Sequence, residues 1–68
     1  MTLQTLTQVP KKGQQLLIKT DTDIELVTIL FVKVGETITE IFLDNDMAFL
    51  FTHFLSGTSW VKEAFVVS

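Results

Sequence analysis

The residues able to do chemistry are few. There is one histidine, His53, and three serines, Ser56, Ser59 and Ser68; cysteine, arginine and tyrosine are absent. Without cysteine there is no thiol nucleophile, no disulfide and no thiolate zinc site. A hydrolytic reading would need His53 to activate one of the serines, and none sits in a nucleophile-elbow glycine pattern. His53 falls between Phe51 and Phe54-Leu55, where a histidine is more simply a packed or half-exposed side chain than a base. The three glycines are isolated and build no phosphate-cradling loop. Enzyme is the function class these residues support least, and no catalytic residue and no cofactor is assigned.

Charge is the second resource, and it is unevenly placed. Residues 1–20 carry Lys11, Lys12 and Lys19 and no acid, whereas 21–46 carry seven acids against Lys33 alone; the net charge is −3. An acidic chain without arginine is poorly equipped to hold a phosphate backbone, which counts against nucleic acid as a partner. Lys11-Lys12 reads as a solvated loop. Asp21, Asp23 and Glu25 form one acidic group and Asp44 and Asp46 another. The functional reading is a docking surface for a protein with a basic face. The plainer one is that Asp and Asn are turn formers that happen to cluster. The loops lack the ligand order of an EF-hand, so no metal is expected.

These residues must be positioned by strands. Ile24–Val34 reads Ile-Glu-Leu-Val-Thr-Ile-Leu-Phe-Val-Lys-Val. Stiff β-branched and aromatic side chains of that density suit a pleated surface and crowd a helix. Gly35-Glu36 then reverses the chain into an alternating strand over 37–43. Upstream, Pro10-Lys11-Lys12-Gly13 is a loop, Gln14–Thr20 a short strand and Asp21-Thr22-Asp23 a turn. Residues 1–12 are an edge strand or a flexible arm. Downstream, Asp44-Asn45-Asp46 turns, Ser56–Ser59 turns again, and Trp60–Val67 is the last strand.

The segment Met47–Leu55 fits two patterns. As a strand it puts Met47, Phe49, Phe51, His53 and Leu55 on one face. As a helix over about 46–56 it gathers Met47, Leu50, Phe51, Phe54 and Leu55 in one stripe, with Asp46 as a possible cap and Gly57 as a stop. Three Phe, a Thr and a His are mediocre helix formers and favour the strand.

The fold class is therefore mainly β: one domain over 1–68, a five-stranded antiparallel meander closing as a small barrel or a curled sheet. The alternative is α+β, a four-stranded sheet with a helix at about 46–56. A Lys-Gly opening, a meander and a short final strand resemble SH3-like barrels. In a meander, successive turns alternate between the two ends of the sheet. The 21–23 and 44–46 turns would share one end; 35–36 and 56–59 would share the other.

Apolar residues are 47% of a 68-residue chain, a heavy load for a domain that buries only roughly 60% of its unfolded surface. Both faces of 24–34 and of 47–55 are apolar. Two such faces cannot both look inward in a thin sheet, so a second layer or another chain must cover one. Phe49, Phe51 and Trp60 are the expected interface anchors.

The expectation is a non-catalytic protein-binding module, homo-oligomeric, that acts by occluding a partner. Such a regulator, adaptor or inhibitor fits a bacterial or phage accessory protein blocking a host system. The alternatives are an oligomer sequestering a small molecule or nucleotide through Lys11, Lys12 and Lys19, and a small-barrel nucleic-acid binder. Met1 reads as a native start without a signal peptide, and no apolar run reaches the roughly 18 residues of a membrane span. Absence of cysteine favours a reducing compartment, the cytoplasm.

Overall fold

The computed structural model describes residues 2–68; Met1 lies outside the described residues. Six strands and one short helix follow in chain order: β1 Leu3–Thr5, β2 Gln15–Lys19, β3 Ile24–Val34, β4 Thr39–Leu43, β5 Ala48–Leu50, α1 Phe51–Ser56 and β6 Glu63–Val67. All pairings are antiparallel, in one sheet of order β1-β6-β2-β3-β4-β5. The chain is mainly β and the sheet is curled. It is not closed into a barrel, because β1 and β5 lie at opposite edges.

β3 is the strand that both halves share. Its first part, Ile24–Thr28, pairs with β2, and its second part, Ile29–Val34, pairs with β4. Between them the register slips: Ile29 faces Leu43 and Phe31 faces Phe42, so β3 carries one extra residue, Leu30. A bulge of this kind bends the strand and exchanges its faces. Val27 and Ile29 are buried before it; Val32 is the residue packed against the core after it.

The core lines one face of the sheet. Leu16 and Ile18 of β2, Val27 and Ile29 of β3, Ile41 and Leu43 of β4, Phe49 of β5 and Ala64 of β6 are buried there. Leu6, Phe51 and Val61 close it from the connecting segments and the helix.

Two expectations are corrected and one open alternative is decided. The sheet has six strands and is not a simple meander. The connection over 6–14 is long enough to step across a strand, and β6 fills the place between β1 and β2, with Leu6 N–H bonded to the Ala64 carbonyl at 2.9 Å. Of the two readings of the amino-terminal segment, Leu3–Thr5 take the edge strand, extended by reciprocal bonds between Thr2 and Ser68, both 2.9 Å. The segment 47–55 is neither all strand nor all helix. Ala48–Leu50 is strand and Phe51–Ser56 is helix, so Phe49 turns inward by strand alternation and Phe51 and Phe54 by helical spacing. Asp46 does not cap the helix; it sits in the preceding turn at φ 66°. Gly57 does end it, at φ 80°, a left-handed conformation that favours glycine. Among the described residues no helix is long and apolar enough to cross a membrane.

The covered and uncovered faces of the β2–β3 ladder differ in energy. Ile18 is fully buried, whereas Ile24 is 66% exposed one register step away. Ile18→Ala is expected to lose about 2–5 kcal/mol, a large part of the roughly 3–10 kcal/mol available to a chain of this length. Ile24→Ala is expected to lose under about 1 kcal/mol. Paired urea titrations of the two variants measure the difference.

Candidate functional site

Two surfaces were expected, an acidic end and an aromatic face, and the structure treats them differently. The acidic turns do share one end. The 20–23 turn is built on Thr20, whose Oγ1 accepts the backbone N–H of Asp23 at 3.0 Å and of Thr22 at 3.3 Å. In the other turn Asn45 Oδ1 accepts the Met47 N–H at 3.0 Å, an Asx turn. The two turns are joined where Asn45 Nδ2 donates to Glu25 Oε1 at 3.1 Å.

The five carboxylates do not form one site. Asp44 Oδ1 accepts the Thr28 N–H at 3.1 Å while Asp44 N–H donates to the Thr28 carbonyl at 3.0 Å, so Asp44 is committed to joining β3 and β4. Glu25 is engaged by Asn45, and Asp23 Oδ2 accepts from Thr22 Oγ1 at 3.2 Å. Among the described residues no group of three or more His, Asp or Glu is placed to hold a metal ion. Positive charge also reaches this end. Lys19 pairs with Glu63 at 3.4 Å, and Lys62 N–H bonds the Lys19 carbonyl at 2.7 Å. Both lie next to the 20–23 turn. The 56–59 turn was expected at the opposite end. The helix instead returns the chain, and by Trp60 the indole Nε1 donates to the Ala48 carbonyl at 2.9 Å beside the acidic turns.

Two of the three expected interface aromatics, Phe49 and Phe51, are corrected. Phe49 is 2% exposed and Phe51 6%, so both are core residues. Phe49 packs edge-on against Phe54 at 5.9 Å and Trp60 at 6.4 Å between ring centroids. Trp60 keeps one partly exposed edge but spends its N–H on β5. These rings are the second layer that covers the inner face.

The apolar surface left open is the other face of the sheet. Residues paired across antiparallel strands share a face. Phe65, Leu17 and Leu26 therefore form one row across β6, β2 and β3. Leu3 and Val67 lie beside it at the β1 edge, and Ile24 lies at the acidic end. Beyond the bulge the same face carries Phe31 and Phe42, with ring centroids 5.6 Å apart. Leu26 is 52% exposed and Leu17 and Phe65 are half-buried. Sequence reading recognised that both faces of β3 are apolar but assigned the anchors to 47–60. The signal for the outward-facing residues was the alternation itself: Leu17, Leu26 and Phe65 stand opposite the positions that fill the core.

The other residues singled out are not brought together. The hydroxyl of Ser56 donates to the His53 carbonyl at 3.1 Å, and Ser59 Oγ accepts the Val61 N–H at 3.1 Å; neither bond reaches the imidazole. Lys11 lines a polar groove of about 430 Å³ with Gln4, Thr7, Gln8 and Gln14, while Lys19 stands at the far end of β2. The three amino-terminal lysines therefore do not converge on one ligand.

Asp44→Ala is expected to cost about 1–2 kcal/mol, through loss of an acceptor for a backbone N–H. Asp21→Ala, whose carboxylate has no hydrogen bond among the described residues, should stay within about 0.5 kcal/mol of the parent. Thermal melts of the two variants at one pH and salt concentration make the comparison. Searches of protein-family models, curated proteins and solved structures find nothing that matches this chain.

Proposed function

We propose that this chain is a non-catalytic protein-binding module that works by occlusion, laying the outer face of its sheet on a partner. The observation that carries the reading is the row Phe65–Leu17–Leu26, with Ile24 and Leu3 alongside, exposed on a sheet whose opposite face is already filled. Contiguous exposed apolar surface of this kind is the usual mark of an interaction site. Asp21 and Asp23 border it at the Ile24 end, with Asp46 on the neighbouring turn. The partner surface that complements it is apolar with a basic rim. The apolar row supplies affinity and the acidic border supplies steering and orientation. A regulator, adaptor or inhibitor acting in a reducing compartment is the biological form this would take. The lysines are dispersed, which supports protein over nucleotide or nucleic acid.

The test separates the two contributions. Leu26→Glu places a charge in the row, at its most exposed residue, without touching the core, so melting should be unchanged. Binding to any partner captured from native lysate should fall by about a hundredfold or more, as when a charge is buried unpaired against an apolar interface. Neutralising Asp21, Asp23 and Asp46 together should instead slow association and flatten its salt dependence, with dissociation little altered. A partner held equally well by Leu26→Glu would overturn the outer-face reading. A salt-sensitive shift of DNA or RNA lost in neither variant would overturn the protein-binding reading itself.

A further inference from the structure

A different surface of β3 has a specific chemistry of its own. The sheet has two outer edges, and both are blunted. β1 and β5 are three residues each, and the Trp60 indole occupies the Ala48 carbonyl on β5. Short, covered edges are how sheets avoid pairing with other chains. The second half of β3 is not protected in this way. β2 stops pairing at Gln15–Thr28, and the last bonds on that side of β3 are Ile29 N–H to the Gln14 carbonyl at 2.9 Å and Gly13 N–H to the Ile29 carbonyl at 2.8 Å. From Leu30 to Val34 the strand has β4 on one side and, among the described residues, no hydrogen-bonded neighbour on the other.

Which groups face that gap follows from the hairpin. Gly35 N–H bonds the Ile38 carbonyl at 2.7 Å, which makes Gly35–Ile38 a hydrogen-bonded pair. Pairs alternate along an antiparallel ladder, so Lys33–Glu40 and Phe31–Phe42 are bonded within the chain. The N–H and C=O of Val32 and Val34 therefore point into the open slot. The slot is five residues long, bounded by the Gly13–Ile29 bond at one end and the Gly35–Ile38 turn at the other. Its exposed side chains are apolar on both faces: Leu30, Phe31 at 53% and Val34 at 72% exposure, with Lys33 the single charge.

We infer that this slot is filled by the same segment of a second copy, the two β3 strands pairing antiparallel about a two-fold axis at Val32. A two-fold contact must be self-complementary, and this one is. With Val32 opposite Val32, the five-residue slots coincide and the two valines exchange their free backbone hydrogen bonds. Leu30 lies opposite Val34 in both directions. Lys33 lies opposite Phe31 of the second copy and beside its own Glu40, so the cation meets a ring on one side and a carboxylate on the other. A register one residue along would set Lys33 against Lys33, which opposed like charges disfavour. The contact uses a strand edge and leaves the Phe65–Leu17–Leu26 row open, so it stands independently of the proposed partner-binding face.

The test is the mass of the full chain by analytical ultracentrifugation across a dilution series. The parent should dimerise reversibly. Val34→Pro removes one N–H that faces the slot and none that β4 uses, so it should leave the melt little changed and weaken the dimer by about tenfold or more. Phe31→Lys and Phe31→Glu remove the same ring but set opposite charges against Lys33 of the second copy. The lysine variant should dimerise about tenfold more weakly than the glutamate variant. A parent that stays monomeric at every concentration would overturn the inference. So would a dimer indifferent to Val34→Pro, or one that treats the two Phe31 variants alike. A dimer broken by Leu26→Glu but not by Val34→Pro would place self-association on the outer face and overturn the edge contact.

Discussion

Leu30 is one residue more than the pairing of β3 with β4 requires, and the architecture turns on where that residue sits. Without the bulge, the eleven-residue strand would keep one set of odd positions inward along its whole length. Val27, Ile29, Phe31 and Lys33 would share a face, and a lysine would be aimed at the core. With it, Val32 follows Ile29 inward and Lys33 goes out. The bend also lets one strand serve two ladders, with β2 on its first half and β4 on its second. The curl that gathers Leu16, Ile18, Ile41 and Leu43 around one core follows from that shared, bent strand.

The remaining core comes from economical use of aromatics. A sheet this small has too little area on one face to be stable without a covering layer, and a long helix would need more chain than 68 residues leave. Here six helical residues suffice, because Phe51 and Phe54 lie one turn apart and meet Phe49 from the adjoining strand. Trp60 completes the group edge-on and ties itself to β5 through its indole N–H. The helix has no side-chain cap at its start and poor intrinsic propensity, so its stability comes from this packing.

That division explains what could be read from the sequence. β3 was legible residue for residue, because eleven positions of β-branched and aromatic character admit no rival. The meeting of the two acidic turns was legible from hairpin alternation, which is local geometry. The place of β6 was not, because insertion between β1 and β2 depends on contacts more than forty residues apart in sequence. The 47–57 segment was half legible. Both periodicities were present because each governs half of it, and the switch falls at Leu50 with no glycine or proline to mark it. The assignment of Phe49 and Phe51 to an interface failed for the same reason. Their burial depends on the switch from strand to helix between them.

The outward apolar surface is not a sign of loose packing. The radius of gyration is 10.9 Å, matching the roughly 11 Å of a compact chain of this length. Among the described residues eleven apolar residues are buried in the core, yet an equal number of large apolar side chains stay exposed. A random scatter of these would carry no meaning. Their distribution is not random. Leu3, Ile24, Leu26 and Phe31 share one sheet face, and Leu30 and Val34 line the stretch of β3 that has no strand neighbour on one side among the described residues. Elsewhere the chain limits such exposure, with three-residue edge strands, an indole on the β5 carbonyl and charged turns. The fold protects its two outer edges, yet Leu30–Val34, four apolar residues and Lys33, have no strand neighbour on the side away from β4 among the described residues, and that contrast is what the proposed self-association rests on.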